Sequence, residues 1–131
     1  MKFRNPFGRN IEFRSRSPER DRETDIHKIA PIFRQVERAL QTFNPELRGL
    51  EIRIEASRLR GSFLVGNETD GYLTRDAADS NRLCQIDAEM KTGEARLAVL
   101  HHNIASLQAI REDLLDKFPA DILDLDSASV A

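Results

Sequence analysis

The residues with reactive side chains are few: three histidines, His27, His101 and His102, and one cysteine, Cys84. A metal site needs several donors converging from one helix face or from neighbouring elements. His101 and His102 are adjacent, and adjacent residues on a helix point about 100° apart, so the two cannot share a metal easily. His101 falls on one flank with Asp87 and Glu94, but those residues are spaced two turns apart, too far for one helix to close a site. Cys84 has no neighbouring histidine or basic cluster to activate it, so it reads as a small helix residue and not a nucleophile. The stretch from Gly66 to Asp70 resembles a calcium loop only superficially. Its ligand positions would be Gly66, Glu68 and Asp70, and the distal glutamate is missing. There is no G-x-S-x-G elbow, no phosphate loop and no dinucleotide fingerprint. The expectation is a protein that is not an enzyme, with no cofactor and no metal.

Arginine offers a different chemistry. The N-terminal stretch FRNPFGRNIEFRSRSPERDRE interleaves Phe3, Phe7 and Phe13 with Arg4, Arg9, Arg14 and Arg16. Phe anchors with Arg rims suit docking on a protein partner, where a few large side chains carry most of the energy. The same pairing suits nucleic acid, with Arg on phosphate and Phe stacked on bases. Pro6, Gly8 and Pro18 interrupt any period, so residues 1–24 read as a basic, flexible arm. Phe3, Phe7, Phe13, Arg14 and Arg16 are the candidate partner-binding residues.

Composition narrows the classes further. A chain of 131 residues with 40% hydrophobic, 32% charged and 6% aromatic residues and no Trp builds its core from aliphatic side chains. That favours helices over a β-sandwich. One cysteine excludes an internal disulfide and suggests a reducing compartment, read as cytoplasmic. No stretch has the apolar length of a transmembrane segment. The net charge of −2 hides an asymmetry: residues 1–24 carry +3 and residues 112–131 carry −5, around a neutral body.

The body must position whatever binds. From Ile26, the residues Ile29, Phe33, Val36, Leu40, Phe43, Leu47, Leu50 and Ile54 follow alternating spacings of three and four, the heptad pattern of a helix with one apolar seam. Asp25 is the expected N-cap. Asn44-Pro45 predicts a break or kink, since Asn caps helices and Pro opens them. Residues 50–65 allow two readings. As a helix they carry a second apolar stripe, Ile52, Ala56, Leu59 and Phe63; as a strand, Leu50, Ile52, Ile54 and Ala56 alternate with polar residues. Helix is preferred to residue 60. The Gly-rich segment 61–74 predicts a loop at a tip, with Ser62–Val65 and Tyr72–Thr74 able to form a short β-hairpin. A second helix is predicted over 75–118, ended by Pro119. Its seam is Leu83, Ile86, Met90, Gly93, Leu97, Leu100, Ile104, Leu107, Arg111, Leu114 and Phe118. Gly93 reads as a tolerated defect in that seam and less as a hinge or close approach. Arg111 should pair with a carboxylate on the other helix, with Glu37, Glu51 or Glu55 as candidates.

The predicted architecture is therefore mainly α: a long antiparallel helical hairpin or coiled coil over residues 25–118, between flexible termini. The acidic tail, residues 119–131, is expected to be free to meet the basic arm of a neighbouring copy. The second helix outruns the first, so its seam, Leu83, Ile86, Met90, Leu97, Leu100, Ile104, Leu107 and Leu114, is assigned to a homo-oligomer. The functional expectation is a structural or adaptor subunit that binds itself and other protein subunits of an assembly. The runner-up is a nucleic-acid-binding accessory factor using the Arg-rich arm with Arg53, Arg58 and Arg60.

Overall fold

The computed structural model describes residues 2–4, 10–12, 17–66 and 77–128. Two strands come first, β1 (Lys2–Arg4) and β2 (Asn10–Glu12), followed by α1 (Pro18–Gly66), α2 (Ala77–Lys117) and the short α3 (Leu125–Ala128). β1 and β2 are antiparallel, with Phe3 opposite Ile11. Two compact units result, one formed by Met1–Arg34 with Leu114–Ala131, the other by Gln35–Asp113.

The start of α1 corrects the expected boundary at Asp25. Ser17 is the N-cap: its Oγ accepts from the Arg20 amide at 3.3 Å, and its carbonyl accepts the first helical bond from Asp21. Pro18 then sits at the first helical position, where its missing N–H costs nothing, and Glu19 and Asp21 face the positive end of the helix dipole. Residues 18–24, assigned to the arm on sequence grounds, are the opening turns of a helix.

α1 then runs unbroken past Pro31 and through Asn44-Pro45 to Gly66, so the predicted break does not occur. Each proline deprives the carbonyl four residues before it of a partner. Pro31 and Pro45 are both on the exposed side, as are His27 and Gln41, so water can reach those carbonyls. An interior proline costs about 3 kcal/mol. Burial of Phe33, Val36, Leu40 and Leu50 around the two sites opposes that cost, at roughly 1.5–3 kcal/mol for each fully buried side chain. Residues 50–65 are helical throughout. The strand reading fails because the buried residues, Leu50, Ile54 and Ser57, repeat at helical and not alternating spacing. Ser62–Val65 is helix as well, which removes one half of the expected tip hairpin; Tyr72–Thr74 lies outside the described residues.

In the second unit α1 and α2 are antiparallel neighbours. As residues on α1 advance through Glu37, Glu46, Ile54 and Gly61, their partners on α2 recede through Arg111, Arg96, Gly93 and Ile86. Leu50, Ile54 and Leu100 form the buried centre, with Phe43, Leu47 and Leu97 packed on it. Every position of the predicted α2 seam is buried or half-buried.

Gly93 is not a defect. It is buried, and a Cβ placed there would lie 3.0 Å from Ile54 Cγ1 and 3.3 Å from its Cδ1. The missing side chain is the hole into which Ile54 fits. Helix propensity lost at Gly93, about 1 kcal/mol, is exchanged for close approach of the two backbones.

In the first unit Ala30, Phe33 and Leu123 are buried, Leu123 almost completely at 1% exposure. The tail is thus ordered through this point, against the expectation of a free tail. Pro119 accepts amide bonds from Ile122 and Leu123. The turn closes with the Leu125 amide on the Ala120 carbonyl and the Asp124 amide on the Asp121 carbonyl, the paired bonds of a Schellman motif. Asp124 takes the left-handed position of that motif, with φ of 56°. Asp is among the few non-glycine residues that tolerate it.

Candidate interaction surface

The sequence-assigned sites divide sharply. His27, His101, His102 and Cys84 are all exposed. Among the described residues no group of three or more His, Cys, Asp or Glu side chains converges as a metal site. Phe3 lies in β1, and Phe7, Phe13, Arg14 and Arg16 fall outside the described residues.

Of the eight leucine, isoleucine and methionine positions assigned to an oligomer seam, Ile86 meets Gly61 of α1, and Leu97 and Leu100 join the cluster around Leu50 and Ile54. Leu100 is fully buried and Ile104 nearly so, while Leu83, Ile86, Met90, Leu97, Leu107 and Leu114 are half-buried. Leu97 and Leu100 pack with Leu50, Ile54 and Phe43 of α1. The expected surplus of seam on the second helix is absent because α1 is the longer of the two, 49 residues against 41 in α2. Its inward face also extends beyond Ile54 through Ser57, Gly61 and Leu64. Those three are small or polar or lie late in the helix, and the apolar pattern alone did not reveal them.

The surface left uncovered is the second stripe of α1. Ile52, Leu59 and Phe63 are 69%, 62% and 68% exposed, and Ala56 between them is exposed as well. At about 100° per residue these four cluster on the side of α1 opposite Leu50 and Ile54. Large apolar side chains scattered singly on a surface need no explanation, but a contiguous row of them usually marks an interaction site. A groove beside the stripe is lined by Leu59, Phe63 and Leu64 of α1 and Arg82, Gln85 and Ile86 of α2. It adjoins a second groove that reaches Arg53, Gly93 and Arg96; Arg60 and Glu89 line both.

Charges border the stripe unevenly. Arg53 and Arg60 follow Ile52 and Leu59 on one flank; Glu51 and Glu55 lie on the other. Arg58 is bound to Glu55 at 2.7 Å, and Arg60 reaches Glu89 at 3.7 Å and the Ser57 hydroxyl at 2.9 Å. Elsewhere in the unit, Arg96 contacts Glu46 at 2.8 Å. Arg111 pairs with Glu37, one of the three carboxylates expected for it. In the first unit, Arg22 meets Asp121 at 2.9 Å and Arg34 meets Asp124 at 3.1 Å. One residue of the basic head, Arg22, therefore meets the acidic tail within the chain, where the sequence suggested contact between copies.

No described helix is long and apolar enough to cross a membrane. No protein family, curated protein or solved structure gives a match to this chain.

Proposed function

We propose that this protein is a non-enzymatic structural or adaptor subunit that works by self-association, presenting the outer face of α1 to its neighbours in an assembly. One observation carries the reading: the row Ile52, Leu59 and Phe63 is more than three-fifths exposed on a helix whose opposite face is already packed. Covering such a row removes apolar area from water at roughly 25 cal/mol per Å². A helix with two apolar faces calls for two partners. α2 supplies the first, and an assembly partner supplies the second. The α2 seam first assigned to that role is already buried or half-buried within the chain, so the outer stripe takes its place in this reading. The alternative use of Arg53, Arg58 and Arg60 on nucleic acid is weakened by the carboxylates beside two of them, Glu55 and Glu89.

Sedimentation equilibrium of the full chain across micromolar concentrations tests the proposal. A dimer or larger species is expected. A species that stays monomeric at the top of that range overturns it.

A further inference from the structure

We propose that the neighbour covering the outer stripe of α1 is a second copy of this chain, aligned parallel to the first. This deepens the self-association reading and rests on it. Spacings of four, three and four make Ile52 and Leu59 the d positions of a heptad, and Ala56 and Phe63 the a positions. Pro45 and Gly49 occupy the preceding d and a positions, so the stripe begins at Ile52 and lies wholly within the unit Gln35–Asp113. On this register Arg53 and Arg60 are e positions, and Glu55 is a g position.

Flank charge then determines orientation. In a parallel pair each g position faces the e position five residues later on the other helix. Glu55 would meet Arg60 of the other copy, twice by symmetry. In an antiparallel pair e faces e along one edge and g faces g along the other, which would set Arg53 against Arg60 twice on the first edge and Glu55 against Ser62 on the second. Opposite charges on opposite flanks are self-complementary only in the parallel arrangement. The present partners of these groups do not obstruct it. Glu55 and Arg58 are each 55% exposed in their mutual contact, and the Arg60–Glu89 pair is similarly open. Exposed pairs of this kind are weak and exchange readily.

The test uses the full chain carrying Glu55→Arg, Arg60→Glu and both together, with helicity followed by circular dichroism. Each single change should weaken the dimer roughly tenfold at low salt, and the double change should restore most of the loss. With Cys84→Ser in the background, Ala56→Cys should form a disulfide between copies under mild oxidation, because parallel alignment sets residue 56 opposite itself. If Arg60→Glu tightens the dimer, the helices are antiparallel and the inference fails. If Ile52→Glu leaves the oligomer unchanged, the stripe is covered by something else, a membrane surface or a different helix, while self-association itself stands. A wild-type chain that is monomeric throughout removes both.

Discussion

Two faces of one helix segment, residues 47–64 of α1, have similar apolar content and opposite fates. On the inward face Leu50 and Ile54 are buried with Leu100 and meet Gly93. On the outward face Ile52, Leu59 and Phe63 remain more than three-fifths exposed. Residue type does not separate the two, since each face holds an isoleucine and a leucine. What separates them is the opposing surface. α2 offers a row of aliphatic side chains with one glycine, and only the Leu50–Ile54 row lies in phase with it. Hydrophobicity makes a stripe able to bind; the shape opposite decides whether it is bound.

The largest expected break in this comparison is at Leu100. Replacement by Ala removes a fully buried side chain and should cost about 2–5 kcal/mol in urea unfolding. Leu59→Ala on the outward face should change the unfolding free energy of the isolated monomer by under about 0.5 kcal/mol. Similar losses at both sites would mean that the two faces are not distinct.

Gly93 sharpens the same contrast. Gly93→Ala gains helix propensity but drives a Cβ against Ile54, and overpacking should win, with a net loss of about 1 kcal/mol. In an Ile54→Ala background the space opens, and the same change should stabilise. A double-mutant cycle without that reversal of sign would show that Gly93 is not a fitted hole.

Ion pairs across α1 and α2 come next in size. Glu37→Gln should cost no more than about 1 kcal/mol, because both partners are more than a third exposed. Its effect should shrink as salt is added. An effect that resists salt would place that pair in a drier setting than its exposure indicates.

The smallest change expected is at Asp124. Asp124→Gly relieves a left-handed residue by about 1 kcal/mol and loses the exposed contact to Arg34. The two should nearly cancel in thermal unfolding. Asp124→Ala keeps the backbone penalty and should be the less stable of the pair.

How much of this was legible follows from the kind of signal each feature leaves. The α2 seam was readable at every position, including the half-buried Arg111, because period alone determines phase on a helix. Ser17-Pro18 carried a good cap-and-first-turn signature, which the surrounding Arg-Ser run obscured. Asn44-Pro45 misled because local preference is worth a few kcal/mol at most, and packing on both sides outweighed it. The Schellman turn was hidden because Asp124 stands where glycine would announce it.

The linear chain by itself determined that helices form, where their apolar rows run, and that the termini carry opposite charge. Those properties depend on neighbours within about a turn, or on composition alone. The tertiary structure decided which α1 row is inward, that Gly93 receives Ile54, that Arg111 selects Glu37 over Glu51 and Glu55, and that Leu123 is buried with Asp121 and Asp124 tied to Arg22 and Arg34. Each of these joins residues far apart in the chain. Such a pairing depends on the relative register of two elements, and register is a property of their packed surfaces, not of either element's own period.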